Sequence, residues 1–251
     1  FWWLGRATRG TAMKLIFESW RKYVNEQLDT ITKLRIFDFD ETIATTRSST
    51  RVTTPGGKKL GFSDQKKYDD YVKATAAKHD IETVNPDGTA RDAVSDLMDI
   101  GYMFDYSDFS KVIDPVENER IVKILGRVVG AKQERGQREV YIMTARGPDS
   151  QQPIMNYLLT LTRDDGTPRF QQSDFDGIIT LAGQSKQAAI DSLIKKHANE
   201  EGVSSIRVID FFDDSQRNLD DVIKLRDIYP DIRINVNKVE DDEITALEEE
   251  L

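Results

Sequence analysis

Short apolar runs alternate with amphipathic segments through the second half of the chain. Apolar positions recur at helical spacing in the longer segments, and the runs between them are rich in Val, Ile and Phe. This pattern predicts helices over residues 116–131, 150–161, 185–197 and 219–229, and strands over residues 139–143, 177–181, 206–212 and 232–236. Strand–helix–strand alternation is typical of a parallel sheet flanked by helices, so we predict an α/β fold.

A fifth strand is predicted over residues 33–39, where a nearly continuous apolar run suggests a strand covered on both faces. The result is a Rossmann-like, mainly parallel, five-stranded sheet. Residues 46–113 fit no simple strand–helix–strand unit, so we predict a small insertion after the first strand. Within it we expect a hairpin over residues 52–60 around a Pro-Gly-Gly turn and a helix over residues 63–78.

The predicted organisation has four parts. Residues 1–32 form an N-terminal extension, with an amphipathic helix over residues 14–31. Residues 33–45 and 114–238 form the catalytic core, and residues 46–113 form the insertion. Residues 239–251 form an acidic tail, which we expect to be solvated and weakly helical.

Composition excludes several functions. The net charge of -9 argues against broad electrostatic binding to nucleic acid or anionic membranes, although it is compatible with a local pocket for phosphate. The chain contains no cysteine, which rules out disulfides, thiol catalysis and cysteine-based zinc sites. No apolar stretch approaches the roughly 20 residues that span a bilayer, so we predict no membrane partner and a cytoplasmic location.

Two carboxylates follow the first predicted strand. Asp38 and Asp40 lie two residues apart in the sequence Asp-Phe-Asp-Glu-Thr, at the point where the chain leaves the strand. In open parallel sheets the functional site lies at the carboxyl ends of the strands. The pair therefore suggests a nucleophile and a proton donor in one crevice, with a place for a divalent cation between them.

Three more polar signals follow later strands in the chain. Thr144 and Arg146 follow the second core strand, and the guanidinium of Arg146 matches the geometry of a phosphate group. Lys186 lies at a helix N-terminus, which is an unfavourable place for a cation unless an anion is bound there. The alternatives are a Thr that caps a helix, a surface Arg and a solvated surface Lys.

Asp213 and Asp214 end the fourth apolar run. Hard cations such as Mg²⁺ prefer carboxylate oxygens, so either residue would complete a site with Asp38. The alternative is a pair of acids that caps the following helix. Asp210 is left out of the site because strand alternation points its side chain to the other side.

The order Asp-x-Asp-x-Thr, strand-terminal Thr, Lys and Asp-Asp resembles the haloacid dehalogenase (HAD) superfamily of phosphotransferases. The resemblance covers about residues 33–237 apart from the insertion. It implies that Asp38 is a nucleophile that forms an aspartyl-phosphate and that Asp40 is the acid and base. An Asp at the position of Asp40 is what the family's phosphatases have.

The resemblance also implies the remaining roles. Thr144 and Lys186 hold the phosphoryl group, and Asp213 and Asp214 bind Mg²⁺ together with Asp38 and the main-chain carbonyl of Asp40. Arg146 and Thr42 are candidates for binding the substrate. The insertion lies where the family places its C1 cap, and the hairpin looks like the family's flap.

Three functions follow as hypotheses. The first is a Mg²⁺-dependent phosphomonoester hydrolase acting on a small molecule or a nucleic-acid end. The second is a structural or interaction protein on a HAD scaffold, such as a component of a phage particle. The third is a polynucleotide 3′-end phosphatase, because residues 143–146 and 211–214 are similar to that group.

The N-terminal segment carries two further expectations. Residues 13–22 look like the start of several large tailed-phage proteins, which would place the protein in a virion or in the host cytoplasm. The aromatic opening, Phe-Trp-Trp-Leu, is a candidate contact for a protein partner or for a homo-oligomer.

Overall fold

A computed structural model describes residues 30–63, 65–85, 91, 93–240 and 243–246. The strands in this part of the chain are β1 (Lys33–Asp38), β2 (Ala44–Thr45), β3 (Thr50–Thr53), β4 (Lys59–Phe62), β5 (Met103–Asp105), β6 (Val116–Glu117), β7 (Arg138–Thr144), β8 (Gly177–Thr180), β9 (Val208–Asp213), β10 (Arg233–Glu240) and β11 (Glu243–Ala246). The helices are α1 (Gln65–Lys78), α2 (Val94–Asp99), α3 (Glu119–Arg135), α4 (Gln151–Thr160), α5 (Lys186–Lys196), α6 (Gln216–Ile223) and α7 (Leu225–Ile228).

The main sheet has the strand order β11-β10-β9-β1-β7-β8. Strands β10, β9, β1, β7 and β8 pair in parallel, which confirms the predicted α/β fold with a five-stranded parallel sheet flanked by helices. Strand β1 is central. The chain runs outward on one side of it through β7 and β8, and then outward on the other side through β9 and β10. This reversal creates a crevice at the carboxyl end of β1.

Both faces of the parallel sheet are covered, as the apolar run in β1 predicts. Leu34 and Ile36 belong to a core that includes Ile190 of α5 and Leu219 of α6. Phe37 points to the opposite face, where it joins residues of α3 and α4. The alternation of side chains along a strand explains why consecutive residues of β1 reach two different cores.

The acidic end of the chain differs from the prediction. Residues 243–246 form β11, which pairs antiparallel with β10. In this register Asn237 lies opposite Ala246, and Glu240 lies opposite Glu243. The expectation of a weakly helical tail is therefore wrong for these residues. Without β11, strand β10 would be the sheet edge with unpaired backbone groups, and the β-branched Ile244 and Thr245 favour an extended chain.

The segment between β1 and α3 forms a smaller α/β unit. Strands β2 and β6 pair at its base, and β4, β3 and β5 form an antiparallel sheet in that order. The predicted hairpin is confirmed as β3 and β4. Val52 of β3 packs with Tyr68 and Val72 of α1 and with Leu97 of α2, so this unit has a small core of its own.

Two predicted helices have different bounds. The helix predicted over residues 116–131 is α3, which begins at Glu119 because Val116 and Glu117 pair with Thr45 and Ala44 as β6. Its cap is Asn118, whose side chain accepts a hydrogen bond from the Ile121 N–H at 3.2 Å. The helix predicted over residues 219–229 is divided into α6 and α7.

The predicted helix over residues 14–31 and the aromatic opening lie outside the described residues, apart from Thr30 and Ile31, which are not helical. In the described ranges, no helix is long and apolar enough to cross a membrane.

Candidate active site

Four chain segments bring polar side chains to the carboxyl edge of the sheet. Asp38 ends β1, Thr144 ends β7 and Asp213 ends β9, while Lys186 begins α5 directly after the loop that follows β8. All four residues are buried. Parallel strands share one edge for their carboxyl ends, which is why residues distant in the sequence meet here.

Lys186 lies between two carboxylates. Its Nζ donates to Asp38 Oδ1 at 2.6 Å and to Asp213 Oδ2 at 2.6 Å. The ammonium also lies 5.9 Å from the centre of the Phe211 ring, and the side chain is only 5% exposed. The alternative of a solvated surface lysine is therefore wrong. Ser185 places Lys186 by capping α5, since its hydroxyl accepts from the Ala188 N–H at 3.3 Å.

Asp38, Asp213 and Asp214 form a cluster of acids whose nearest ligand oxygens all lie within 4.8 Å of one another. The carboxylate of Asp213 is fixed by the Ser215 N–H at 2.8 Å and by Asn218 Nδ2 at 3.0 Å. Asp213 therefore also contributes to the turn into α6, as the capping alternative proposed. Asp210 lies elsewhere, with Arg35 and Asn235 as its partners.

Burial makes the ionised acids costly. It raises the pKa of Asp38 well above its ordinary value, while Lys186 opposes this rise and Asp213 adds to it. Burial, together with the charge of Asp213, raises the pKa of Asp214 to about 6. Burial also lowers the pKa of Lys186, but Asp38 and Asp213 outweigh it and hold the pKa above its ordinary value.

This cluster is suited to a divalent cation. Three carboxylates face one ammonium group, so the ionised cluster carries excess negative charge. Mg²⁺ and Ca²⁺ prefer oxygen ligands, and the carboxylate oxygens of Asp meet this preference. A divalent ion among Asp38, Asp213 and Asp214 would favour their ionised forms and offset the cost of burying them. The residues present therefore fit a metal.

Asp40 belongs to a second group, with Arg146 and Thr144. Arg146 Nε donates to Asp40 Oδ2 at 2.9 Å, and Nη2 donates to Oδ1 at 2.6 Å. Thr144 Oγ1 donates to Asp40 Oδ2 at 3.2 Å and accepts from the Arg146 N–H at 3.2 Å. The side chain of Asp40 is not part of the acid cluster, and its main-chain contact with a metal stays a prediction.

Arg146 is buried rather than on the surface, so the surface alternative is wrong. Its Nη1 donates to the carbonyl oxygens of Phe109 and Lys111, and its Nη2 donates to Thr46 Oγ1 at 2.8 Å. These partners come from the segment between β2 and β6. No local pattern indicates these partners, because they lie 35 to 100 residues from Arg146.

Thr42 is fully buried, and its hydroxyl has no hydrogen-bond partner among the residues that the structure describes. Asn218, which holds Asp213, was not predicted as a site residue. Its position in the first turn of α6, five residues after Asp213, is a signal that could have identified it.

Comparison of this chain with protein-family models, with curated proteins and with solved structures finds no match.

Proposed function

We propose that this protein is a Mg²⁺-dependent phosphomonoester hydrolase of the HAD type, with an aspartyl-phosphate intermediate on Asp38. The observation that supports this most is the arrangement at the end of β1. There a buried carboxylate lies 2.6 Å from the ammonium of Lys186 and within a cluster that includes Asp213 and Asp214. A nucleophilic carboxylate that attacks an anionic phosphate needs positive charge beside it, which Lys186 and a bound metal ion would supply.

Asp38, Asp213 and Asp214 would hold the metal ion. When bound, Mg²⁺ supplies positive charge that screens the repulsion between the phosphate and the carboxylate nucleophile. Lys186 supplies further positive charge from the protein itself. Two of its three N–H bonds are directed at Asp38 and Asp213, so the third can donate to a phosphoryl oxygen.

The reaction takes place in two steps. In the first, an oxygen of Asp38 forms a bond to phosphorus, the bond from phosphorus to the leaving oxygen breaks, and Asp40 gives its proton to that oxygen. In the second, Asp40 takes a proton from water as the water oxygen attacks phosphorus, and the bond to Asp38 breaks to release phosphate. Thr144 donates a hydrogen bond to Asp40 and so helps to hold this acid in place.

The unit between β2 and β6 acts in this proposal as a small cap. This role is supported by its direct contacts with the site, because Thr46, Phe109 and Lys111 all accept hydrogen bonds from Arg146. A cap anchored beside Asp40 would limit the access of water and determine which phosphate ester enters. Its three-stranded sheet, with the β3–β4 hairpin, would supply the surface that contacts the substrate.

The test is phosphate release from an aryl phosphate, with and without Mg²⁺, by the wild type and by Asp38→Asn. We expect turnover only with the metal, and a loss of at least about 10³-fold in the variant. Asp231→Asn is the matched control, because Asp231 is exposed in the loop before β10. Full activity in Asp38→Asn would exclude the covalent mechanism.

Substrate choice and the other two hypotheses need a broader panel. Sugar phosphates, nucleotides and 3′-phosphorylated oligonucleotides should be compared under the same conditions. A clear preference for oligonucleotide ends would favour the polynucleotide 3′-end phosphatase. Absence of turnover on every ester, with sedimentation showing an assembly, would favour the structural or virion role.

A further inference from the structure

We propose that Arg146 is a positioning residue that orients Asp40 for proton transfer, and that it does not bind the phosphate of the substrate. This inference rests on the proposed function. It differs from the sequence-based expectation for Arg146, and it assigns the residue a measurable effect on one chemical step.

Arg146 and Asp40 form a two-point ion pair. Arg146 contacts both carboxylate oxygens of Asp40, with Nε 2.9 Å from Oδ2 and Nη2 2.6 Å from Oδ1. A two-point contact between a planar guanidinium and a carboxylate fixes the carboxylate plane as well as its distance. Asp40 is therefore held in one orientation relative to the end of β1.

The hydrogen-bond donors of Arg146 are all used within the protein. An arginine side chain has five N–H bonds, one on Nε and two on each terminal nitrogen. In Arg146 the Nε is used by Asp40, and Nη1 donates to the carbonyls of Phe109 and Lys111. Nη2 is shared by Asp40, Thr46 and Ser48. Every donor has an acceptor within the protein, which leaves none for a phosphate.

The surroundings of Arg146 enclose its guanidinium group. The Arg146 side chain is 1% exposed, and its guanidinium carbon lies 5.4 Å from the Phe39 ring centre and 5.3 Å from that of Phe109. Its remaining partners come from the proposed cap. A lysine would keep the charge but could not reproduce the fork or the stacking. Arg146→Lys therefore tests orientation with little change in charge.

Leaving-group chemistry separates positioning from the other roles. An alkoxide is a poor leaving group and needs the proton of Asp40, whereas a nitrophenolate departs without one. A misplaced Asp40 should therefore slow hydrolysis of an alkyl phosphate much more than that of 4-nitrophenyl phosphate. The quantity to compare is kcat/KM, because it reports the first step, in which the leaving group departs.

The experiment measures kcat/KM for glycerol phosphate and for 4-nitrophenyl phosphate in wild type and Arg146→Lys, with saturating Mg²⁺. Positioned general acids contribute about 10²–10⁴-fold to a rate. We expect a loss of at least about 10²-fold on the alkyl ester and of less than about 10-fold on the aryl ester. Arg163→Lys is the control, because the Arg163 side chain is exposed and its hydrogen bond is to Thr167, which is also exposed.

The outcomes are distinct. An equal loss on both esters would overturn the inference, because a structural or phosphate-binding role affects both substrates. If wild type hydrolyses neither ester, the proposed function itself fails. Should Arg146→Lys not fold, Thr46→Val keeps Arg146 and removes one acceptor, at 2.8 Å. It should then shift the ratio of the two kcat/KM values in the same direction, and an unchanged ratio would also overturn the inference.

Discussion

Replacing Lys186 with methionine tests the electrostatic account of the site. The Nζ of Lys186 lies 2.6 Å from Asp38 and 2.6 Å from Asp213, and these carboxylate side chains are 6% and 0% exposed. Methionine preserves the unbranched shape and the helix propensity of lysine. The substitution thus leaves two buried acids facing each other with their shared cation removed.

The expected magnitude follows from the burial. Removal of one partner from a buried ion pair costs about 3–5 kcal/mol, because the remaining charge is left uncompensated. For a chain of this size, each kcal/mol corresponds to about 2–4 °C in melting temperature, so Tm should fall by about 6–20 °C. Burial already raises the pKa of Asp38, so this acid becomes protonated as the pH falls. The loss of stability in the variant should therefore be at the lower end of this range at low pH.

The assay is urea unfolding at neutral pH in the presence of a chelator. Lys195→Met is the matched control, because Lys195 lies in the same helix and makes an ion pair of equal length, 2.6 Å, with Asp191, but its side chain is 68% exposed. We expect this control to change stability by about 0.5 kcal/mol or less. An equal loss of stability in both variants, or a loss of less than about 1 kcal/mol in Lys186→Met, would contradict the electrostatic account of the site.

Two further predictions concern the acid cluster. Burial raises the pKa of Asp214 to about 6, so the stability that this acid contributes is present below pH 3.8 and is lost as the pH rises through 6. Without metal, the free energy of unfolding of Asp214→Asn should therefore rise relative to that of wild type between pH 4 and 7, by up to about 3 kcal/mol. Denaturant unfolding at several pH values measures this difference, and pH profiles that run parallel for the two proteins would contradict it. Asn218 donates to both oxygens of Asp213, at 3.0 and 3.2 Å. Asn218→Ala should therefore weaken Mg²⁺ binding, measured by calorimetry, by about 10–100-fold. An unchanged affinity would show that Asp213 needs no such support.

The parallel sheet could be predicted because its signals are local. Each strand is a short apolar run, and burial on both faces makes such a run nearly continuous in the sequence. The residues that end strands, Asp38, Thr144 and Asp213, were predicted for the same reason, since parallel strands bring their carboxyl ends to one edge. Lys186 followed from its unusual place at a helix N-terminus.

What could not be predicted depends on contacts between distant segments. Strand β11 forms because β10 would otherwise leave an open edge, and nothing in the acidic composition of residues 240–251 indicates that edge. Helix α3 begins at Glu119, three residues later than predicted, because residues 116–117 pair with β2. Apart from Asp40, the hydrogen-bond partners of the Arg146 guanidinium lie between β2 and β6, where the folding of the smaller α/β unit sets their positions.

Asp38 and Asp40 illustrate how the fold gives two identical side chains different surroundings. Asp38 is the last residue of β1 and lies on the same face as Leu34 and Ile36, so it meets Lys186 of α5. The chain then leaves the strand through a turn with Glu41 at a φ of 55°, and Asp40 meets Arg146 instead. One carboxylate is thus paired with a lysine inside an acid cluster, and the other with an arginine anchored by the smaller unit. Different roles for two acids on one scaffold require such a difference in environment.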